Sequence, residues 1–267
     1  MPFVKVNGIR LYYEIEGDGL PLLIISGTGA DLRNPRPRYP TLEGFQVLRY
    51  DQRGLGQTAS PHCEYTMADY ADDAAALLEH LEIRSTNVIG ISFGGMVAQH
   101  LVTRHPDKVN KLILACTSPG GDDFSSFDLR KILSNSSNKV ESWLQILDLR
   151  YKNSQIELPV LNMVKDALNM NNRLFPHLIT DGLSRQLEAR STHDCTDTLR
   201  GISHSTFIVG GRYDGIAPMQ NLFEMHSLIK NSQLQIFEGG HLFLMQDNRA
   251  WPAITSFLSP ESDTLKV

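Results

Sequence analysis

The sequence predicts an α/β domain: a mostly parallel, twisted sheet with helices on both faces and a helical lid inserted late in the chain. Three features predict it. Short apolar runs rich in β-branched residues alternate with helical spacing through the first 118 residues, as expected for strands joined by crossover helices. A serine between glycines, Gly90-Ile91-Ser92-Phe93-Gly94, sits between one such strand and one such helix. From about Gly120 to Arg200 strand signals vanish and helical periodicity takes over.

Phe3–Val6 and Ile9–Glu16 flank Asn7-Gly8, which predicts a β-hairpin. Gly17-Asp18-Gly19 turns the chain into Leu22–Ser26, a short apolar strand that ends in Ser26-Gly27-Thr28-Gly29. A polar loop with Pro35, Pro37 and Pro40 leads to a strand over Phe45–Tyr50, which runs out into Asp51-Gln52-Arg53-Gly54-Leu55-Gly56. Thr66, with Asp69 three residues on, predicts a capped helix start. That helix is expected to reach about Leu81, with Ala76, Leu77, Leu78 and Leu81 on its buried face. Thr86–Ile89 predicts a buried strand, and Met96–Val102 beyond the serine has helical spacing. Lys111–Ala115, Phe207–Gly210 and Leu234–Phe237 predict further strands. Strands on both sides of the helical region make residues 1–120 and 201–267 one core, with 121–200 inserted as a lid.

Composition narrows the function. The net charge is −5 and no basic block stands out, which argues against a nucleic-acid partner. The cysteines Cys63, Cys116 and Cys195 are widely spaced and form no Cys-x-x-Cys. A disulfide framework or zinc site is therefore not expected, and a reducing, cytoplasmic setting is. Met1 to Glu16 lacks the apolar core of a signal peptide. No apolar run approaches the roughly 18 residues that a membrane span needs. The expected partner is a small-molecule substrate, without nucleic acid, membrane, metal or cofactor. Oligomeric state leaves no signal.

The glycines around Ser92 have a steric reason. So tight a strand-to-helix turn forces the serine into an unfavourable backbone conformation, and side chains at Gly90 or Gly94 would strike neighbouring backbone. The hydroxyl is thereby raised clear of the sheet at a helix N-terminus, the nucleophile-elbow pattern. A serine hydroxyl is a weak nucleophile at neutral pH. It needs a general base, and the base needs an acid to hold its tautomer. In a parallel sheet these partners belong at the carboxyl ends of later strands. Asp214, in Gly210-Gly211-Arg212-Tyr213-Asp214-Gly215, and His241, in Glu238-Gly239-Gly240-His241, occupy such places. The chain order Ser, Asp, His is the one expected with this elbow. Plainer alternatives are a helix-cap serine, a turn aspartate before Gly215 and a surface loop histidine.

With these motifs the chain resembles the α/β-hydrolases over nearly its whole length, and in particular small lidded esterases of the 3-oxoadipate enol-lactonase type. The resemblance implies an α/β-hydrolase fold with Ser92, Asp214 and His241 as a catalytic triad and no cofactor. It implies cleavage of a carboxylic ester or lactone of a small to medium apolar substrate through an acyl-enzyme on Ser92. It makes Asp51–Gly56 a structural segment. It also implies an oxyanion hole from the backbone N–H groups of Phe93 and Thr28, with Gly29 an alternative one residue on. Where the family usually has His-Gly in that loop, this chain has Ser26-Gly27. Serine at the elbow argues against the epoxide hydrolase and haloalkane dehalogenase branches, whose nucleophile is a carboxylate. A carbon–carbon bond hydrolase, a cofactor-free peroxidase and a non-enzymatic small-molecule receptor stay open on the same residues.

Three other patterns resemble sites. His193-Asp194-Cys195 suggests a metal, yet no second ligand pair follows at helical spacing. Gly54-Leu55-Gly56-Gln57-Thr58-Ala59 imitates a dinucleotide fingerprint, but Ser60-Pro61-His62 intervenes before the helix at Thr66. Trp143, Leu144, Ile146, Leu147 and Leu149, then Leu158, Leu161, Val164, Ala167 and Leu168, recur at helical spacing. These either form helix core alone or, as for Trp143, also line a substrate pocket.

Overall fold

The computed structural model describes residues 2–33, 40–133, 139–153, 156, 158, 161–162 and 180–259. Pro35 and Pro37, and Val164, Ala167 and Leu168 of the insertion, lie outside the described residues.

The chain opens with the expected hairpin, β1 (Phe3–Val6) and β2 (Ile9–Glu16). Asn7 and Gly8 both take positive φ, 46° and 78°, which gives the turn a twist that matches the strands. Six further strands follow: β3 (Leu20–Ile25), β4 (Phe45–Tyr50), β5 (Thr86–Ile91), β6 (Val109–Ala115), β7 (Ser205–Gly211) and β8 (Ser232–Phe237). They form one sheet in the order β1-β2-β4-β3-β5-β6-β7-β8. β1/β2 and β2/β4 run antiparallel and the remaining pairs parallel. Several strands begin earlier than their apolar runs. Ser205 pairs with Lys111, and Ser232 with Thr206. Ladder hydrogen bonds draw these polar flanks into the sheet although they carry no strand signal of their own.

Alternation along each strand decides what covers the sheet. In β3, Leu23 and Ile25 point into one cluster and Leu22 and Ile24 into another. Burial on both faces explains why these strands read as continuous apolar runs. The first cluster takes Tyr70, Leu77 and Leu78 of α1 (Met67–His80), Val97 and Leu101 of α2 (Phe93–Arg104) and residues of a later helix. α1 starts at the predicted cap. The Thr66 hydroxyl accepts from the Asp69 N–H, and the Asp69 carboxylate accepts from the Thr66 N–H. Its buried stripe begins at Met67 and runs through Tyr70, Ala71 and Ala74, so Ala76 and Leu81 sit at its edge, only partly buried.

Between β6 and β7 the named elements among the described residues are helical. They include α3 (Gly121–Phe124), α4 (Arg130–Leu133), α5 (Lys139–Leu147) and α6 (Asp181–Ser191). Trp143, Leu144 and Leu147 of α5 pack with Leu183 and Leu187 of α6, and this small core rests on Leu55 and Ile216. Trp143 is thus a core residue, 5% exposed. After β7 come α7 (Met219–Leu228), α8 (Phe243–Gln246) and α9 (Ala250–Leu258). Leu222 and Met225 of α7 join the first cluster, whereas Trp251, Ile254 and Leu258 of α9 cover the other face. No helix among the described residues is long and apolar enough to cross a membrane. Cys63, Cys116 and Cys195 are free thiols.

Candidate active site

β5 delivers Ser92 to the carboxyl edge of the sheet, and α2 begins at the next residue. Ser92 has φ 56° and ψ −117°, a region that costs on the order of 1–3 kcal/mol for a residue with a Cβ. Its surroundings over-determine it. The Ser92 N–H donates to the Ala115 carbonyl (2.9 Å), and its own carbonyl accepts from the Gly95 N–H (2.9 Å) and the Thr117 hydroxyl (2.8 Å). The flanking glycines are required by contact. A Cβ on Gly90 would lie 2.5 Å from the Gly94 carbonyl oxygen, and one on Gly94 would lie 2.0 Å from that of Ile25.

The three predicted residues meet at this edge. The His241 Nδ1–H donates to Asp214 Oδ2 at 2.7 Å, and the Ser92 hydroxyl donates to His241 Nε2 at 3.0 Å. The tautomer follows from the acceptor. A carboxylate on Nδ1 leaves the lone pair on Nε2, facing the serine. Asp214 is 2% exposed, and its other oxygen accepts from the N–H groups of Ile216 (2.7 Å) and Ala217 (2.9 Å). A buried charge with three donors is satisfied. Cys116, behind the site, stays a thiol, because burial pushes it well above its usual range.

The end of α5 braces both partner loops through its carbonyls. Leu147 O accepts from the His241 N–H (2.6 Å), and Ile146 O accepts from the Gly215 N–H (3.0 Å). Gly240 is pressed so close that a Cβ there would lie 1.9 Å from the Leu147 oxygen. A helix's last carbonyls lack intrahelical partners, and here the acid and histidine loops supply them.

The Ser26–Gly29 loop lies against the serine. A Cβ on Gly27 would be 3.3 Å from Ser92 Cβ and 3.8 Å from its Oγ. Gln52 Nε2 donates to the Ser26 carbonyl (2.8 Å), and Asp51 accepts from the N–H groups of Leu32 (2.6 Å) and Gln57 (2.8 Å). The Asp51–Gly56 segment therefore ties down the loop in which serine replaces histidine. Burial raises the Asp51 carboxyl to about 6. The Gly29 N–H donates to Gln186 Oε1 of α6 at 2.8 Å. The Phe93 N–H opens α2, where the geometry of a helix start leaves it without an intrahelical acceptor.

Residues 21–248 match the family model described as alpha/beta hydrolase fold. The chain belongs to the α/β-hydrolase family. It is 28% identical to a poly(3-hydroxyalkanoate) depolymerase of Ectopseudomonas oleovorans, over 90% of this chain and 85% of the relative. It is 26% identical to a 2-hydroxy-6-oxo-2,4-heptadienoate hydrolase of Pseudomonas putida, over 97% of this chain and 96% of the relative. The enol-lactonase structure from Burkholderia xenovorans LB400 superposes with a TM-score of 0.78 at 22% identity, covering 96% of this chain and 98% of that one. At that identity the likeness is one of fold.

In this α/β-hydrolase the His193-Asp194-Cys195 segment acquires a partner that spacing could not reveal. His100 of α2 brings its Nε2 within 3.2 Å of His193 Nδ1, and Cys195 completes a cluster whose candidate ligand atoms lie within 4.8 Å of one another. Hydrogen bonding accounts for both rings. His193 Nε2–H donates to the Ser118 carbonyl (3.1 Å), so its Nδ1 accepts from His100. Burial lowers His193 to about 3 and His100 to about 4, and raises the Cys195 thiol to about 12. The glycine-rich segment Gly54–Ala59 forms turns, and the next helix waits until Met67. Sequence reasoning missed Gln186, although a glutamine between Leu183, Leu187 and Arg190 on one face of α6 was a legible signal.

Proposed function

We propose that the protein is a cofactor-free serine hydrolase that cleaves a carboxylic ester or lactone of a small to medium apolar substrate. One observation carries it: the unbroken 2.7 Å and 3.0 Å chain from Asp214 through His241 to Ser92. Ser92 Oγ attacks the carbonyl while His241 Nε2 takes its proton, and Asp214 stabilises the imidazolium. The oxyanion is received by the Phe93 and Thr28 N–H groups. Gln186 engages the neighbouring Gly29 N–H, which supports Thr28 as the free donor. His241 then protonates the leaving oxygen and activates water to release the acid. Residues 121–200 serve as the lid that shapes the substrate pocket, and the free thiols fit a cytoplasmic setting.

The relative named as a poly(3-hydroxyalkanoate) depolymerase supports this reading. The one named as a heptadienoate hydrolase supports a second, carbon–carbon bond hydrolysis on the same triad. Steady-state turnover of 4-nitrophenyl butyrate by native protein and Ser92→Ala is the test. A loss of about three orders of magnitude or more is expected. Equal turnover by the two proteins would remove Ser92 from the reaction, and an acylation burst without turnover would favour a receptor.

A further inference from the structure

A cavity of about 210 Å³ lies between α2, the loop after β6 and the insertion. Its lining includes Met96, Ser118, Ser125, Ser126, Arg190 and His193. Arg190 is only 7% exposed. Its Nη1 donates to the Phe127 carbonyl at 2.9 Å, whereas Nε and Nη2 have no hydrogen-bond partner. The Ser118 hydroxyl, fully buried on the same cavity, has none either. Buried donors without acceptors are costly, and a buried cation without a counter-ion more so.

The neighbouring charges do not compensate. Asp128 and Arg130 also face the cavity, but they pair with each other at 2.9 Å, and Arg130 reaches Glu188 at 3.0 Å. Asp128 and Glu188 are both committed to Arg130, so neither takes the Nε/Nη2 edge of Arg190, and the His193 ring is neutral at pH 7. Burial pulls the Arg190 guanidinium down to about 10, despite the attraction of Asp128 and Asp214. It is still a cation at neutral pH.

The unused atoms have a specific shape. Nε and Nη2 form one edge of the guanidinium, the fork that holds carboxylates side-on. The same edge of Arg53 holds Asp73 at 2.7 Å and, through Nη2, 2.8 Å, and Arg150 holds Asp148 in the same way. Only at Arg190, among these three, is the fork empty.

We propose that this cavity is a carboxylate-binding site, in which the Arg190 Nε/Nη2 fork grips the anion and the Ser118 hydroxyl donates a third hydrogen bond. One carboxylate fits the two-donor edge of Arg190, and the volume admits a short aliphatic or a benzoate-sized acid. The carboxylate comes either from the far end of the substrate or from a free acid. Met96 stands one helical turn past Ser92, about 6 Å along α2. The first source rests on the hydrolase reading above; the binding itself does not.

The test titrates native protein, Ser92→Ala, Arg190→Met, Arg190→Lys and Ser118→Ala with sodium benzoate at pH 7, with sodium chloride as the control at equal ionic strength. Calorimetry reads the affinity and thermal unfolding reads the stabilisation. Native protein and Ser92→Ala are expected to bind alike. Arg190→Met should bind about ten- to hundredfold more weakly, as for a lost charged hydrogen bond. Arg190→Lys should retain part of the affinity, and Ser118→Ala should lose about fivefold. Without benzoate, Arg190→Met should be at least as stable as native. No response beyond chloride in the native protein overturns the site, and so does native affinity in Arg190→Met. If that variant fails to fold, native affinity in both Arg190→Lys and Ser118→Ala overturns it. The mono-4-nitrophenyl ester of succinic acid and 4-nitrophenyl butyrate separate the sources. A KM raised in Arg190→Lys for the succinate ester alone identifies the substrate's own carboxylate. Benzoate that changes turnover of both esters alike identifies a free acid.

Discussion

Gln186 offers a test of the proposed oxyanion loop from a distance. It belongs to α6, is 0% exposed, and its Oε1 accepts the Gly29 N–H at 2.8 Å. Gln186→Leu keeps the bulk and removes the acceptor. The Gly29 N–H is then buried and unsatisfied, at a cost of about 1–3 kcal/mol. The loop can recover that energy only by turning the N–H elsewhere, and this moves the Thr28 N–H next to it. A strain of that size lowers the population of the competent loop by about five- to 150-fold. The ceiling is the loss of one oxyanion donor, about 2.7–4 kcal/mol. Stability should change less, because Gln186 Nε2 has no hydrogen-bond partner in the native protein, and leucine removes that buried orphan as well. The assay is kcat and KM on 4-nitrophenyl butyrate beside a thermal melt. A fall in kcat with KM and Tm nearly unchanged is expected. Native kcat in Gln186→Leu, or a fall explained by unfolded protein, would refute the reasoning.

Asp214→Asn should fold, since Asn Oδ1 still accepts from Ile216 and Ala217. Its amide would face His241 Nδ1 and impose the wrong tautomer, so kcat should drop by about four orders of magnitude; a drop below tenfold would move the acid role elsewhere. Gly240→Ala places a Cβ 1.9 Å from the Leu147 oxygen and 2.7 Å from Asp148 Cα. Only backbone can yield there, so urea unfolding should show a loss of about 1–3 kcal/mol, and kcat should fall more than KM changes. The buried histidine pair predicts acid sensitivity. With His193 near 3 and His100 near 4 when folded, against about 6.5 for an ordinary imidazole, the unfolded chain binds more protons below pH 6.5. Stability therefore falls from pH 6.5 towards 4, by up to about 1.4 kcal/mol per pH unit and ring. Asp51 works in the opposite sense: its raised pKa of about 6 adds stability as pH falls from 6 to 4. Urea unfolding at pH 7 and pH 5 should show a smaller loss for His193→Gln than for native protein, and equal losses would count against the pair.

The meeting of Ser92, Asp214 and His241 was legible because each stands in a glycine-marked turn at the end of a strand, and such signals are local. The apolar run of β3 and the capping box at Thr66 were legible for the same reason. The chain could not announce contacts between distant segments. Gln186 and Gly29 are 157 positions apart, and a glutamine's identity does not name its acceptor or donor. The carbonyls of Ile146 and Leu147 that brace the loops of Asp214 and His241 belong to backbone, which is chemically the same at nearly every residue. The ends of the strands were also misjudged, because Ser205 and Ser232 are strand residues by virtue of their partners alone. Local chemistry thus specifies the elements, the elbow and the identities of Ser92, Asp214 and His241. Packing specifies the register that makes 2.7 Å and 3.0 Å of them. It also turns an ordinary helix arginine, Arg190, into a buried cation with an empty fork, because burial is a property of the assembled fold and of no residue alone.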